Sequence, residues 1–187
     1  KTMAPVLADA GDTVTVTLVV ENTGLAPAFN LSVRDNIGDL VDVLKIENIV
    51  EGTTPAGFSF AAAQITNNVD YVAVDNSPIN PGDALTFTFT FDLTGRVEAN
   101  ERIINVGSVQ SYWTLPGELG REEGDVVDSA FVDIAAPTFA KTLAGTSLVE
   151  PGNSDTEVVI GELATYQLTI TLPEGRTPNA EVLDILN

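Results

Sequence analysis

The sequence contains no cysteine and no histidine. Without cysteine there is no disulfide, no thiol nucleophile and no thiolate zinc site. Without histidine the usual general base, the usual triad member and the commonest transition-metal ligand are missing. Positive charge is scarce: 8 Lys and Arg stand against 27 Asp and Glu, a net charge of −19. A chain this acidic repels phosphate backbones, so nucleic acid is not expected as a partner, and an anionic membrane surface is disfavoured for the same reason. No apolar run approaches the roughly 18–20 residues that span a bilayer, so no membrane insertion is expected in this segment. The GxSxG elbow, the phosphate-binding loop and the dinucleotide fingerprint are absent as well. An enzyme here would have to work with carboxylates alone, and among 27 acids some pairs fall at suitable distances by chance, so no catalysis is expected.

What is present is a core-forming, strand-rich pattern. The 187 residues are 44% hydrophobic, enough for one large or two small domains. In Ala84-Leu-Thr-Phe-Thr-Phe-Thr-Phe91, successive side chains of a strand point to opposite faces. Leu85, Phe87, Phe89 and Phe91 share one face, and Thr86, Thr88 and Thr90 share the other. The alternation recurs at 13–20, with Val14, Val16, Leu18 and Val20 inward, and at 164–172, with Tyr166, Leu168, Ile170 and Leu172 on one face. Further strands are expected at 28–35, 41–50, 69–75, 102–113 and 126–134, separated by turn signals at 22–24, 76–83, 115–120 and 172–175. Residues 57–64 fit either a strand or one helical turn. Many short strands with regular turns predict an all-β antiparallel sandwich.

The chain also echoes itself. Lys1-Thr2-Met3 matches Lys141-Thr142-Leu143, and 11–35 aligns with 161–184, Gly11 on Gly161 and Asp35 on Asp184. This predicts one repeat over 1–136 and the opening strands of a second, incomplete repeat over 137–187, joined by an Ala/Pro connector at about 133–140. The second repeat should carry strands at 163–171 and 180–186 that lack partners, a hazard unless other sequence or another chain supplies them. The chain starts on Lys1 and stops mid-pattern at Asn187, and is read as an excerpt of a longer polypeptide.

The order of Lys1-Thr2, Gly11-Asp12, Glu21-Asn22-Thr23-Gly24, Asp35, Pro81-Gly82-Asp83, the strand beginning at Asn105, the turn at 114–117 and the closing run 128–137 resembles the DUF11-type repeat of bacterial and archaeal cell surfaces. Two features depart from that pattern: Asp35 is followed by Asn-Ile-Gly-Asp rather than a nearby Leu-Pro, and 37–80 is long enough to hold an added hairpin. The resemblance implies immunoglobulin-like sandwiches in tandem, and an extracellular, cell-surface location. The function it implies is a non-enzymatic structural repeat of a fibre, stalk or sheath, its partners being neighbouring repeats or copies of itself, with strand exchange between subunits as a means of polymerising. The alternative is an adhesin module that grips a glycan or surface protein through loops such as 36–42 and 114–125.

Two kinds of site follow. Related surface sandwiches form an intramolecular Lys–Asn isopeptide bond, which needs an unprotonated lysine in an apolar core, an Asn beside it and an acid to shuttle protons. The chain has only three lysines, Lys1, Lys45 and Lys141. Lys1 with Asn105, and Asp35 or Glu21 as the acid, form the candidate set; the bland alternative is a solvated surface ion pair. The second kind is Ca²⁺, which takes several loop oxygens. Candidate ligands are Asp35, Asp39 and Asp42; Asp75 and Asp83; Asp125 and Asp128, near Glu122 and Glu123; and the stretch 150–157. None has EF-hand spacing, and the alternative is a solvated acidic loop. Asn30-Leu31-Ser32 fits a glycosylation triplet, and Tyr112-Trp113 is a candidate contact pair or a strand-end anchor.

Overall fold

The computed structural model describes residues 1–37, 43–63, 68–147 and 158–185. Its strands are β1 (Thr2–Ala4), β2 (Leu7–Ala8), β3 (Thr13–Glu21), β4 (Phe29–Asn36), β5 (Ile46–Glu51), β6 (Phe58–Ala63), β7 (Asn68–Ala73), β8 (Ala84–Leu93), β9 (Arg102–Leu115), β10 (Leu119–Glu123), β11 (Val126–Ile134), β12 (Thr138–Thr146) and β13 (Ala164–Thr171). Among the described residues the sole helical piece is a 3-10 turn at Val43–Lys45.

Two sheets face each other. One runs β1-β3-β8-β5; the other runs β2-β11-β9-β4-β7-β6, with β10 hairpinned onto β9. The first strand of the chain is divided between them: β1 pairs antiparallel with β3, and past Pro5 β2 pairs parallel with β11. The threonine–phenylalanine alternation sits at the heart of this arrangement. Phe87, Phe89 and Phe91 are fully buried, as are Val14 and Val16 opposite them on β3. Tyr71 and Phe58 of the other sheet meet Phe87 with ring centroids 4.7 and 5.2 Å apart, at tilted and edge-on angles that suit aromatic quadrupoles. Each fully buried phenylalanine withdraws enough apolar surface from water to contribute roughly 1.5–3 kcal/mol. Outward, Thr15 faces Thr90 and Thr17 faces Thr88 across the strand pair, a polar outer surface on a half-buried sheet.

The long segment 37–80 does hold an added hairpin: β6 and β7 pair with each other, and β7 extends the sheet beyond β4. Residues 58–63 are strand, not helix. Three expectations need correction. The strand foreseen at 41–50 begins at Ile46, because Val43–Lys45 take a 3-10 turn; residues 41 and 42 lie outside the described ones. The connector at 133–140 is shorter than its Ala/Pro composition suggested: Asp133 and Ile134 belong to β11 and Thr138–Ala140 to β12, leaving 135–137. The strand expected at 180–186 does not form over 180–185, since no strand among the described residues offers its backbone a ladder there.

The strand at 163–171, expected to lack a partner, instead pairs antiparallel with β12, a strand the alternation did not mark, and β12 and β13 form a sheet of their own. The turn after β13 touches the sandwich: Ala99 N–H donates to Arg176 O at 2.8 Å and Arg176 N–H donates to Val97 O at 2.9 Å. Gly175, at φ +102°, permits this approach; a Cβ there would lie 2.8 Å from Val97 O.

Candidate functional site: a buried lysine, aspartate and asparagine

Three polar side chains converge between the sheets. Lys1 precedes β1, whose register pairs Thr2 with Thr17 and so sets Lys1 opposite Leu18 with its side chain inward, like that of Met3. On β4 the inward residues are Leu31, Val33 and Asp35; on β9 they are Ile103, Asn105, Gly107 and Val109. Asp35 pairs directly with Gly107, which places Asn105 two residues along the same inward face of the adjacent strand. The cluster thus joins the leading strand of one sheet to two central strands of the other.

The geometry is tight and dry. Lys1 Nζ donates to Asp35 Oδ2 at 2.5 Å, and the two side chains are 1% and 0% exposed. Asn105 is fully buried, yet neither its Oδ1 nor its Nδ2 finds a hydrogen-bond partner, and Asp35 Oδ1 is likewise unpartnered. An orphaned buried polar group costs about 1–3 kcal/mol, so this amide is held in place against its own preference. Gly107 makes room: a Cβ there would sit 2.7 Å from Leu18 Cδ2 and 3.3 Å from both Asp35 Oδ2 and Lys1 Cδ. The stem of Lys1 occupies the space that any other residue would fill.

Burial weakens the charged form of each ionisable partner, and the charge of the other opposes that shift. Burial pushes the Lys1 ammonium pKa down, with the attraction of Asp35 pulling the other way. Burial pushes the Asp35 carboxyl up, opposed by Lys1 and by the neighbouring Asn105, which is close to it but outside good hydrogen-bond geometry. A desolvated amine, a carboxylic acid and an amide carbonyl are what attack of Lys1 Nζ on Asn105 Cγ requires. Lys45 shows the contrast. It pairs with Glu101 at 2.5 Å while half-buried, and Glu101 is held by the Glu98 N–H, an ordinary ion pair. Lys141, the counterpart of Lys1, donates to Asp184, the counterpart of Asp35, also at 2.5 Å, with 24% and 35% of the side chains exposed.

The expected site residues therefore divide. Lys1, Asp35 and Asn105 meet; Glu21 is exposed at the end of β3, away from the buried pair. The described calcium candidates are dispersed. Asp75 Oδ1 accepts from Ser77 N–H, Asp83 accepts from the backbone and side chain of Asn80, and Asp128 accepts from the Lys1 amino group and Ser129 N–H. Asp125 sits at φ 66° between β10 and β11. Asp39, Asp42 and 150–157 lie outside the described residues. Among the described residues no three acids converge as a metal-ligand group. Tyr112 packs partly buried against the core. The sequence reading missed Gly107, whose signal was a lone glycine inside a β-strand pattern.

No family model matches the chain, and no curated protein matches it. Solved structures do. The third ScaC cohesin of Acetivibrio cellulolyticus, solved in complex with the ScaB dockerin, is 16% identical over 70% of this chain and 94% of that one, with a TM-score of 0.53. BcpA, the major pilin subunit of Bacillus cereus, is 8% identical over 92% of this chain and 55% of its own, also with a TM-score of 0.53. An uncharacterised Nocardia farcinica protein described as having an immunoglobulin-like fold is 14% identical over 69% of this chain and 93% of its own, at 0.47. The chain spans about half the length of the pilin subunit it matches. At these identities the likeness is one of architecture, and the protein is an all-β, antiparallel sandwich of the immunoglobulin-like class.

Proposed function

We propose that the protein is a non-enzymatic structural module of an exported cell-surface fibre, stalk or sheath, and that its sandwich is locked by an amide between Lys1 and Asn105. The observation that carries this reading is the dry Lys1–Asp35–Asn105 cluster with its orphaned amide. Lys1 Nζ attacks Asn105 Cγ while protonated Asp35 polarises the carbonyl oxygen. The tetrahedral intermediate collapses as the Cγ–Nδ2 bond breaks, and ammonia leaves with the proton that Asp35 relays from the amine. The reaction runs once per molecule, so the chain is its own substrate rather than an enzyme. A bond from the edge strand of one sheet to the centre of the other resists separation of the two sheets, which suits a part that bears load.

In this reading 1–136 and 137–187 are successive DUF11-type units, and the partners are neighbouring units or copies of the chain. On β13, Tyr166, Leu168 and Ile170 are 44%, 40% and 46% exposed, where the matching Val16 and Leu18 of β3 are buried. Among the described strands β13 pairs with β12 alone, so further strands, from the same polypeptide or from a neighbouring subunit by exchange, would complete it.

Intact mass measurement of the purified protein tests the lock. It should weigh one ammonia less than its sequence, and tryptic digestion should yield the Lys1–Arg34 peptide joined to Ile103–Arg121. Asp35→Ala and Asn105→Ala should restore the full mass. A wild-type protein of full mass after prolonged incubation would sink the proposal.

A further inference from the structure

A groove of about 540 Å³ opens beside Lys1, walled by Leu18 and Val20 of β3, Leu31 of β4, Val109 and Tyr112 of β9 and Val126 of β11. It is apolar, and it lies along a stretch of backbone with one side unused. β3 pairs with β8 through Glu21, but β1 covers only Thr15–Thr17, so Val19, Val20 and Glu21 have no strand on the groove side among the described residues. Val126 and Val127 on the far wall are 61% and 60% exposed.

The second sheet shows what fits such an edge. Aligning Gly11 with Gly161 puts Leu18 on Leu168, Val20 on Ile170 and Glu21 on Thr171. There the strand does not start at the lysine. Lys141 pairs with Leu168, and ahead of it Ala140, Phe139 and Thr138 pair with Thr169, Ile170 and Thr171. Phe139 stands two residues before the lysine, hence on the same face, at the level that Val20 occupies beside the groove.

We propose that the groove is the seat of a β-strand that runs antiparallel along Val19–Glu21 and leads directly into Lys1, with a large apolar side chain two residues ahead of the lysine filling the space between Val20, Tyr112 and Val126. Lys1 and Asp128 both line the groove, and Lys1 N donates to Asp128 Oδ2 at 2.8 Å, so a residue joined to that nitrogen enters it. Such a strand closes the sheet edge over the Lys1–Asp35 pair. The proposal stands whether or not the amide forms.

The test is the full chain with Ala-Pro-Thr-Phe-Ala, the sequence of 136–140, fused ahead of Lys1, compared with the same extension carrying serine in place of its phenylalanine. Backbone amides of residues 19–21 on the groove side should exchange with deuterium at least roughly tenfold more slowly with the phenylalanine extension, as for backbone newly drawn into a sheet. Binding of an apolar dye to the groove should be lost, and the melting temperature should exceed that of the serine form. Equal exchange, equal melting and retained dye binding in the two forms would overturn the strand seat. So would displacement of the phenylalanine extension by a small apolar ligand, which would make the groove a ligand pocket.

Discussion

Asn105→Ala separates a covalent lock from a merely buried cluster by the sign of its effect. If Asn105 stays unreacted, alanine removes two buried polar atoms that have no partners, which cost about 1–3 kcal/mol each, and leaves a small cavity. The variant should then be as stable as the parent or more so. If the amide has formed, alanine deletes a cross-link that closes a loop of about a hundred residues. The chain-entropy relation for such a loop gives about 4–5 kcal/mol of lost stability. At about 2–4 °C per kcal/mol for a chain of this size, the melting temperature should fall by roughly 8–20 °C. Calorimetry on parent and variant, with intact masses of the same samples, reads both quantities. A variant that melts at or above the parent, from a parent of full sequence mass, refutes the lock and the energetic reasoning together.

The remaining expectations are quickly stated. Gly107→Val drives a side chain into Leu18 Cδ2, Asp35 and Lys1; overpacking of about 1–3 kcal/mol should lower the urea midpoint, and fresh protein should accumulate the ammonia-deficient mass more slowly than the parent. Phe89→Ala should cost about 3–5 kcal/mol in denaturant melts because the ring is fully buried, while Thr86→Ala on the outer face should stay within about 0.5 kcal/mol; equal losses would refute the inward–outward assignment. In Asn105→Ala, where no amide forms, stability should depend on pH through the remaining pair. The native Asp35 carboxyl keeps its proton above the ordinary 3.8, so its contribution is full below 3.8 and falls as pH rises through the raised value. Native Lys1 sheds its proton below the ordinary 10.5, so stability lost on burying the ammonium returns as pH rises from its lowered value toward 10.5. Relative to a further variant with Lys1→Met and Asp35→Leu, the difference should fall as pH rises from 3.8 and recover as pH approaches 10.5; a flat difference would contradict the burial argument. Finally, melting in calcium and in excess EDTA decides what the acidic loops are: agreement within about 2 °C would make them solvated charge, whereas a large rise in calcium would make them ligands.

Strand patterns were legible in the sequence because alternation is a local property. Threonine and phenylalanine in turn can bury one face only as a strand, and β3, β8 and β13 lie within a residue or so of where that periodicity put them. The hairpin within 37–80 was visible as excess length. Where local pattern conflicted with available partners, the partners decided: 180–185 reads as a strand but has no ladder to join among the described residues, and Thr138–Ala140, read as connector, is strand because β13 lies alongside. The candidate site shows the same division. Sequence supplied a scarce lysine, an asparagine and an aspartate, at positions 1, 105 and 35. It also supplied seven carboxylates that looked equally fit for calcium. Only the folding of β4 against β9, with β1 laid across the gap, buried one set and left most of the other in water. Local chemistry fixes which face a side chain takes. The pairing of strands far apart in the chain fixes which faces meet, and burial at that meeting sets Lys1 and Asp35 apart from the solvated lysines and aspartates of the same chain.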